Sequence, residues 1–596
     1  MRYSDLPFEI LEHVSDYLST NDKRSCSLTC KGWRHPFQKA LWRYIRLNSH
    51  HTIQQLIDII KKNQNVSTSY RLWVYSLQIY VSYPGTETSD IEFSKLLQCL
   101  PNLRCLDLRP ISYKSIYTDT TSSEKIWTSL ETLKIQSEGY SDIQQRLDIF
   151  EFINTCSMLR ELEIQAMLRD QQFEFSMNDF DNMHLNLKKL SSITVYTCLK
   201  LNFSTILDTI PNMVPAFAMT SLNISWCPYA DSVTWGKNER MISLFRSNPN
   251  AFQHLETFDL TYDRHSILSS FILLEVLREL RVPLRHLILD PTQLRYISES
   301  PSINVNTVLE FFSETLQSFK VKRFKYISAN QDPTFKLSSY YRLLTDLYIS
   351  SNYVTLDLGD LLDKCVALKQ LEFCAGTLVI DPNTTNEESK KEQQQHGLQI
   401  LTLRKCTVNS EILNYLSSRC RSLKHITLDT LLIKGSICKR TGCLLLDMPH
   451  TSLKTLNIGQ LRYSPPYEET NVYDHSRLTL LSKLNDASLS DEKIEREKNQ
   501  IDSEHPILTS HPIDWVHTYD ESAHYKYKRV KTTKLSKSGA DIAFKYFQEF
   551  GSKTVLQNSK HQCLYDEEIG YMDRECELHK GYGQFRFGKI ECVHVI

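Results

Sequence analysis

Leu103-Arg104-Cys105-Leu106-Asp107-Leu108 sets the pattern from which the fold of this chain is read: an apolar residue, two spacers, an apolar residue, one spacer and a third apolar residue. The end of the phrase alternates apolar and polar, the period of a half-buried strand. The phrase returns as Leu130-Glu-Thr-Leu133-Lys-Ile135, Leu159-Arg-Glu-Leu162-Glu-Ile164, Leu284-Arg-His-Leu287-Ile-Leu289 and Leu344-Thr-Asp-Leu347-Tyr-Ile349. It continues as Leu368-Lys-Gln-Leu371-Glu-Phe373, Leu423-Lys-His-Ile426-Thr-Leu428 and Leu453-Lys-Thr-Leu456-Asn-Ile458. Further copies start at Leu190, Leu255, Leu316 and Leu398, and with weaker ones at Val74 and Met219 there are 14 candidates; the stretch from Val74 to Leu453 gives a mean spacing of about 29 residues. Copies at a steady spacing read as stacked units, each burying its apolar face against the next.

The phrase resembles the leucine-rich repeat, which implies a parallel strand in each unit and a helical return segment. Phe150–Cys156 and Ile412–Cys420 have the composition of such returns. The segment Leu401-x-Leu403-x-x-Cys406 through Cys420 resembles the cysteine-containing variety of that repeat. Asp381 to Gly397 is polar where a helix would stand, so one unit is irregular. With one strand per unit at about 4.8 Å, the array would extend on the order of 65 Å, the scale of a protein ligand. The spacers project onto the concave face, which makes Asp107, Arg109, Glu161, Glu163, Tyr196, Asp259, Lys320, Lys322, Tyr348 and Arg404 candidate substrate-binding residues. Acidic Glu161 and Glu163 against basic Lys320 and Lys322 make a charge mosaic, suited to choosing a partner by complementarity.

Ahead of the repeats, Ile10, Leu11, Val14, Tyr17 and Leu18 recur at the spacing of an amphipathic helix, with Asp5 as its cap and Pro7 in its first turn. Cys26, Leu28, Cys30 and Trp33 begin a second helical pattern that Pro36 ends or redirects, and Phe37 to Leu47 forms a third element. Three short helices make a small core, so apolar surface should remain for a partner. Leu6-Pro7, Ile10, Leu11, Val14, Tyr17-Leu18, Asp22, Cys26, Leu28, Cys30-Lys31-Gly32-Trp33 and Leu41-Trp42 resemble the F-box in order and spacing. Lys23 or Arg24 departs from it, standing where that family commonly has leucine. The resemblance implies that Leu6, Pro7, Ile10, Leu11, Val14, Leu18, Leu28, Cys30 and Trp33 dock a SKP-family adaptor.

The repeat phrase stops near Gln460. Charged residues over Leu484–Pro506 mark a linker or insertion, and order resumes at Trp515. Lys526, Lys528, Arg529, Lys531, Lys534 and Lys537 with Tyr525 and Tyr527 form a basic-aromatic stretch, read as a solvated edge ahead of a nucleic-acid patch. Ile542, Ala543, Tyr546, Phe547 and Phe550 share a helical face suited to closing the array. Cys563, Cys576, His579, Cys592 and His594 include zinc-ligand types, but no Cys-x-x-Cys pair anchors them, so no metal or cofactor is expected.

The balance of 69 Lys+Arg against 70 Asp+Glu leaves a net charge of -1 over 596 residues, which gives no global field for nucleic acid or an acidic membrane. Glycine is scarce at 16 residues, and neither G-x-G-x-x-G nor the P-loop motif occurs; nor do His-Glu-x-x-His or Gly-x-Ser-x-Gly. The first residues lack the apolar core of a secretory leader and the 16 cysteines form no compact framework, so the chain reads as intracellular, in cytoplasm and/or nucleus.

The expected fold is α/β: an N-terminal three-helix F-box over 1–48, a leucine-rich-repeat solenoid (α/β horseshoe) over 49–460, a polar linker or insertion over 461–514 and a C-terminal cap over 515–596. The resemblance implies a non-catalytic substrate receptor of an SCF-type (SKP-cullin-F-box) ubiquitin ligase. The adaptor would connect the chain to cullin and RING subunits, and the repeats would hold a protein substrate. An F-box scaffold that does not promote degradation shares every feature, and an enzyme or small-molecule sensor housed in the array or its cap is a third reading.

Overall fold

The computed structural model describes residues 6–62, 70–80, 99–109, 129–137, 156–166, 191–197, 221–226, 252–262, 274–275, 277–291, 305–322, 334–351, 354–380, 395–465, 475–484, 510–521, 529–553 and 578–596. The chain divides into two compact units, Met1–Tyr296 and Ile297–Ile596.

The first unit opens with helices α1 (Phe8–Asp16), α2 (Thr20–Thr29) and α3 (Lys31–Arg43). Pro7 stands at the N-cap of α1, outside the first turn where the sequence put it, and its carbonyl accepts the Ile10 and Leu11 N–H groups at 3.1 and 3.2 Å. Asp5 lies outside the described residues. Ser19 caps α2, its hydroxyl oxygen accepting from the Asp22 N–H at 3.2 Å. The break expected at Pro36 does not occur: extended Cys30 separates α2 from α3, and α3 continues through the proline. The missing N–H removes the bond to Gly32 one turn back, and burial of Pro36, Phe37 and Ala40 holds the helix across the gap. The third expected element is likewise split, becoming strand at Tyr44 because Tyr44–Leu47 pairs with the first repeat strand.

After β1 (Tyr44–Leu47) comes helix α4 (His50–Lys62), then β2 (Ser76–Tyr80), β3 (Cys105–Arg109), β4 (Thr132–Ser137), β5 (Glu161–Ala166), β6 (Ser192–Thr197), β7 (Ser221–Trp226), β8 (Thr257–Tyr262) and β9 (His286–Pro291). Each pairs in parallel with the next, in chain order, so Leu77, Leu106, Leu133, Leu162, Ile193, Leu222, Phe258 and Leu287 stand in one register line. The first leucine of the phrase is buried in the turn before its strand, as at Leu103, Leu130, Leu159, Leu255 and Leu284. Apolar burial on the order of 1.5–3 kcal/mol per side chain, repeated at each rung, is what stacks the units.

In the second unit β10 (Ser318–Lys322), β12 (Asp346–Ser350), β14 (Gln370–Cys374), β16 (Ile400–Arg404), β18 (His425–Asp429) and β20 (Cys443–Ile458) form a parallel sheet. The shorter β11 (Thr334–Phe335), β13 (Thr355–Asp357), β15 (Thr377–Val379), β17 (Thr407–Asn409), β19 (Leu431–Lys434) and β21 (Leu461–Ser464) alternate with them along the chain and form a second parallel sheet. Helices Leu358–Lys364 and Glu411–Arg419 supply return segments, the latter where the sequence placed one. The other expected return, Phe150–Cys156, lies outside the described residues but for Cys156, as does most of the polar loop from Asp381.

The linker expected over 461–514 is revised, because β21 and β22 (Leu478–Leu484) fall within it and all of β22 but Lys483 is buried. β22 pairs with β25 (Tyr582–Val595) in parallel and with β23 (Ser510–Glu521) antiparallel, and β23 pairs with β24 (Arg529–Lys534). β25 lies between β20 and β22, and Tyr582–Gly588 is buried on both faces. Gly588 is required there: a Cβ would stand 2.3 Å from the Pro449 carbonyl oxygen at the irregular pairing of β20 with β25. Helix Lys537–Gln548 packs Ala543 and Phe547, with Phe550 beyond its end, against Trp515, Leu478, Leu480 and Tyr582, while Ile542 stays exposed.

Candidate functional site

Helix α1 sorts its apolar residues onto two opposed faces. On α1, Leu11 and Ser15 are buried one turn apart, while Ile10, Val14 and Tyr17 follow at the spacings that share a helix face and are exposed. α3 packs on both α1 and α2. The inner side is fastened by Glu12–Lys39 at 2.5 Å, Asp16–Arg43 at 3.7 Å and the Phe8–His35 ring pair at 5.4 Å. α2 buries only Ser27 and leaves Leu28 78% exposed. α3 in turn meets the start of the ladder through aromatic pairs, Trp42 stacking on Tyr70 at 4.8 Å and His35 meeting Trp73 edge-on at 4.9 Å. The trio is thereby held while Ile10, Val14, Tyr17 and Leu28 face solvent.

Among the adaptor candidates, Pro7, Ile10, Val14 and Leu28 are exposed, and Leu6, Leu18, Cys30 and Trp33 are half-buried. Leu11 is corrected to a core residue: its neighbour Ile10 takes the outer face, which turns Leu11 toward α3. Tyr17, 78% exposed, joins the outer face although the resemblance did not single it out for docking; its i+3 and i+7 spacing from Val14 and Ile10 is the signal that marks it.

The substrate candidates form rows across neighbouring strands. Gln78, Asp107, Lys134, Glu163, Thr194, Asn223 and Asp259 share one register line. Within it the Gln78 amide donates to Asp107 at 2.9 Å and the Lys134 ammonium sits 2.6 Å from Glu163. Asp107 is consequently buried rather than presented to a ligand. The hydrogen bond to Glu163 raises the Lys134 pKa above its ordinary value. Glu161 accepts from the Thr132 hydroxyl at 3.3 Å. In the second unit Lys320 lies over the Tyr348 ring at 4.9 Å and Arg404 pairs with Glu372 at 3.3 Å. Asp259 and Lys322 are half-buried, and the side chains of Arg109 and Tyr196 lie outside the described residues. Many of the expected recognition charges thus face one another across the rungs.

Four cysteines of the second unit, Cys365, Cys406, Cys420 and Cys443, are buried, and burial pushes each thiol up to about 12. Exposed Cys438 differs: burial raises it, but the Thr441 hydroxyl, the Thr441 and Arg440 N–H groups and the Arg440 charge together hold it below the ordinary thiol value. Cys563 and Cys576 lie outside the described residues; Cys592 and His594 are exposed, with Sγ and Nε2 3.3 Å apart. Among the described residues no group of three or more His, Cys, Asp or Glu side chains is arranged to hold a metal. Of the basic stretch, Lys534 is paired with Asp514 at 2.7 Å, and residues 522–528 lie outside the described residues. No described helix is long and apolar enough to cross a membrane.

Residues 3–48 match the F-box-like family. No curated protein matches the chain. Among solved structures, an internalin (inlF) from Listeria monocytogenes is similar at 12% identity with a TM-score of 0.29, over 65% of this chain and 90% of that chain. The chain therefore carries an F-box-like region of α-helices ahead of repeated parallel strands in an α/β architecture.

Proposed function

We propose that this chain is the non-catalytic substrate-recognition subunit of an SCF-type ubiquitin ligase. The N-terminal helices dock a SKP-family adaptor that leads to cullin and RING subunits, and the strand ladder, read as a leucine-rich-repeat solenoid, holds a protein for ubiquitination in the cytoplasm or nucleus. The observation that carries the proposal is the apolar face of Ile10, Val14 and Tyr17 on α1, exposed together with Leu28 of α2 within the residues that match the F-box-like family. Exposed apolar clusters are costly in water and mark partner sites. The receptor's contribution is proximity, raising the effective concentration of a target lysine near the charged conjugating enzyme.

The test is capture of a purified SKP-family adaptor by the full chain. Ile10→Asp with Val14→Asp abolishes capture and leaves circular dichroism unchanged; undiminished capture rejects the reading. Stabilisation of bound proteins when residues 1–48 are deleted separates a degradation receptor from a scaffold.

A further inference from the structure

The turns that lead into the strands of the second unit differ in chemistry from those of the first. Three in each unit close with a leucine N–H donating to a carbonyl three residues back: Leu103 to Leu100, Leu159 to Cys156 and Leu255 to Phe252 in the first unit, and Leu344 to Tyr341, Leu368 to Cys365 and Leu423 to Cys420 in the second. The two residues inside each turn point away from the core. In the first unit they are Pro101-Asn102, Ser157-Met158 and Gln253-His254; in the second they are Arg342-Leu343, Val366-Ala367 and Arg421-Ser422. Leu343 and Val366 are exposed, and Tyr340 beside them is 67% exposed. The Tyr341 N–H donates to the Lys364 carbonyl at 2.8 Å, which joins the first two of these turns into one patch.

The residue entering each strand continues the rim. Along successive rungs it is Thr345, Lys369, Gln399, Lys424 and Lys454, each N–H donating to the carbonyl of the one before. The three lysines are exposed and, among the described residues, make no ion pair. In the same row of the first unit most charges among the described residues are paired, Arg104 with Glu131 at 3.1 Å and Arg285 with Glu256 at 3.2 Å, and Arg160 is an isolated exposed cation rather than one of a series.

We propose that this rim binds an extended acidic protein segment, its apolar residues on Tyr340, Leu343 and Val366 and its carboxylates along Lys369, Lys424 and Lys454. Four strand steps separate β12 from β20, about 19 Å, which an extended peptide of roughly six residues spans. Unpaired cations select carboxylates by complementarity, and an exposed aromatic with aliphatic neighbours provides an anchor that a polyanion lacking side-chain hydrophobes cannot use. The proposal concerns a surface separate from the N-terminal helices and holds whether or not they bind an adaptor.

The experiment is fluorescence anisotropy of the full chain with a fluorescein-labelled dodecapeptide carrying leucines at one end and glutamates along the rest. Lys369→Glu/Lys424→Glu/Lys454→Glu weakens binding by at least about tenfold, because three attractions to carboxylates become three repulsions. Tyr340→Ser/Leu343→Ser weakens it independently, and both variants keep the wild-type circular dichroism because the altered side chains are exposed. Lys545→Glu, a charge-reversed control on helix Lys537–Gln548, binds as wild type, and so does Ile10→Asp/Val14→Asp, which keeps failure here distinct from failure of adaptor docking. No binding, binding that is indifferent to either rim variant, or equal affinity for oligoglutamate or duplex DNA overturns the proposal.

Discussion

Ile10 and Leu11 are consecutive residues of α1 and face opposite ways, 48% and 2% exposed. Two substitutions should therefore separate docking from folding. Leu11→Ala removes core packing and lowers the stability of the helical trio by about 2–5 kcal/mol, seen as lost hydrogen-exchange protection across α1 and α3. Ile10→Ala leaves that protection unchanged and weakens adaptor capture. If both variants lose protection equally, the face assigned to Ile10 is wrong.

The strands of this fold were legible because a leucine at each repeated offset is a demand of packing, and Leu106, Leu347 and Leu371 all fill the core that demand implies. Helix ends were less legible. Pro36 reads as a stop, yet α3 passes through it because tertiary burial of Phe37 outweighs one lost backbone bond. β22 was hidden because its neighbours in sequence are polar while its partners, β23 and β25, are distant along the chain. At the candidate site, the small size of a three-helix core predicted leftover apolar surface, but helical spacing could not say which of Ile10 and Leu11 would face outward. On the ladder, periodicity found the outward row, yet pairing between rungs, as in Lys134 with Glu163, depends on register that one strand's sequence does not contain.

Two ion pairs of similar length should differ sharply in worth. Lys134–Glu163 and Asp447–Arg586 are each 2.6 Å, the first partly exposed and the second buried between β20 and β25. Glu163→Gln should cost less than about 1 kcal/mol because water screens the pair. Asp447→Ala should cost about 3–5 kcal/mol, since it leaves the Arg586 charge buried without its carboxylate. Replacing both partners, Asp447→Leu with Arg586→Met, should recover much of the loss. Backbone hydrogen exchange in urea, read at Leu133 and Leu162 for the first pair and at Leu446 and Phe585 for the second, follows each pair within its own unit; equal costs for the two single variants would contradict the burial assigned to β25.

His396 gives the second unit a pH dependence. Its Nδ1 accepts the Leu398 N–H at 3.1 Å, so the ring proton sits on Nε2 and donates to the Cys365 carbonyl at 3.0 Å. Burial, aided by the Arg419 charge, lowers its pKa below the ordinary histidine value. The unfolded chain then takes up the proton first as pH falls. The stabilisation is complete above about pH 6.5 and declines below it until the folded state also protonates. Hydrogen exchange over residues 395–404 should quicken between about pH 7 and pH 5.5 after correction for intrinsic rates. His396→Gln should flatten that dependence, and an unchanged slope in the variant would assign the effect elsewhere.

Cys438 and Cys443 lie five residues apart and should differ in reactivity. The Cys438 carbonyl accepts from the Gly442 N–H at 2.7 Å and its own N–H donates to the Cys443 carbonyl at 2.9 Å, which closes a tight loop around the thiol. The sulfur of Cys443 is buried and donates to Gln584 at 3.6 Å. Because Thr441 and backbone N–H groups favour the thiolate of Cys438, iodoacetamide at about pH 7 should alkylate it ahead of Cys443, with a rate profile whose midpoint falls below that of a free thiol. Thr441→Val removes the hydroxyl donor and should move that midpoint upward, slowing alkylation severalfold at neutral pH. Peptide mass mapping after timed alkylation reads both effects, and a midpoint at or above the free-thiol value in the wild type would show that the loop does not stabilise the thiolate.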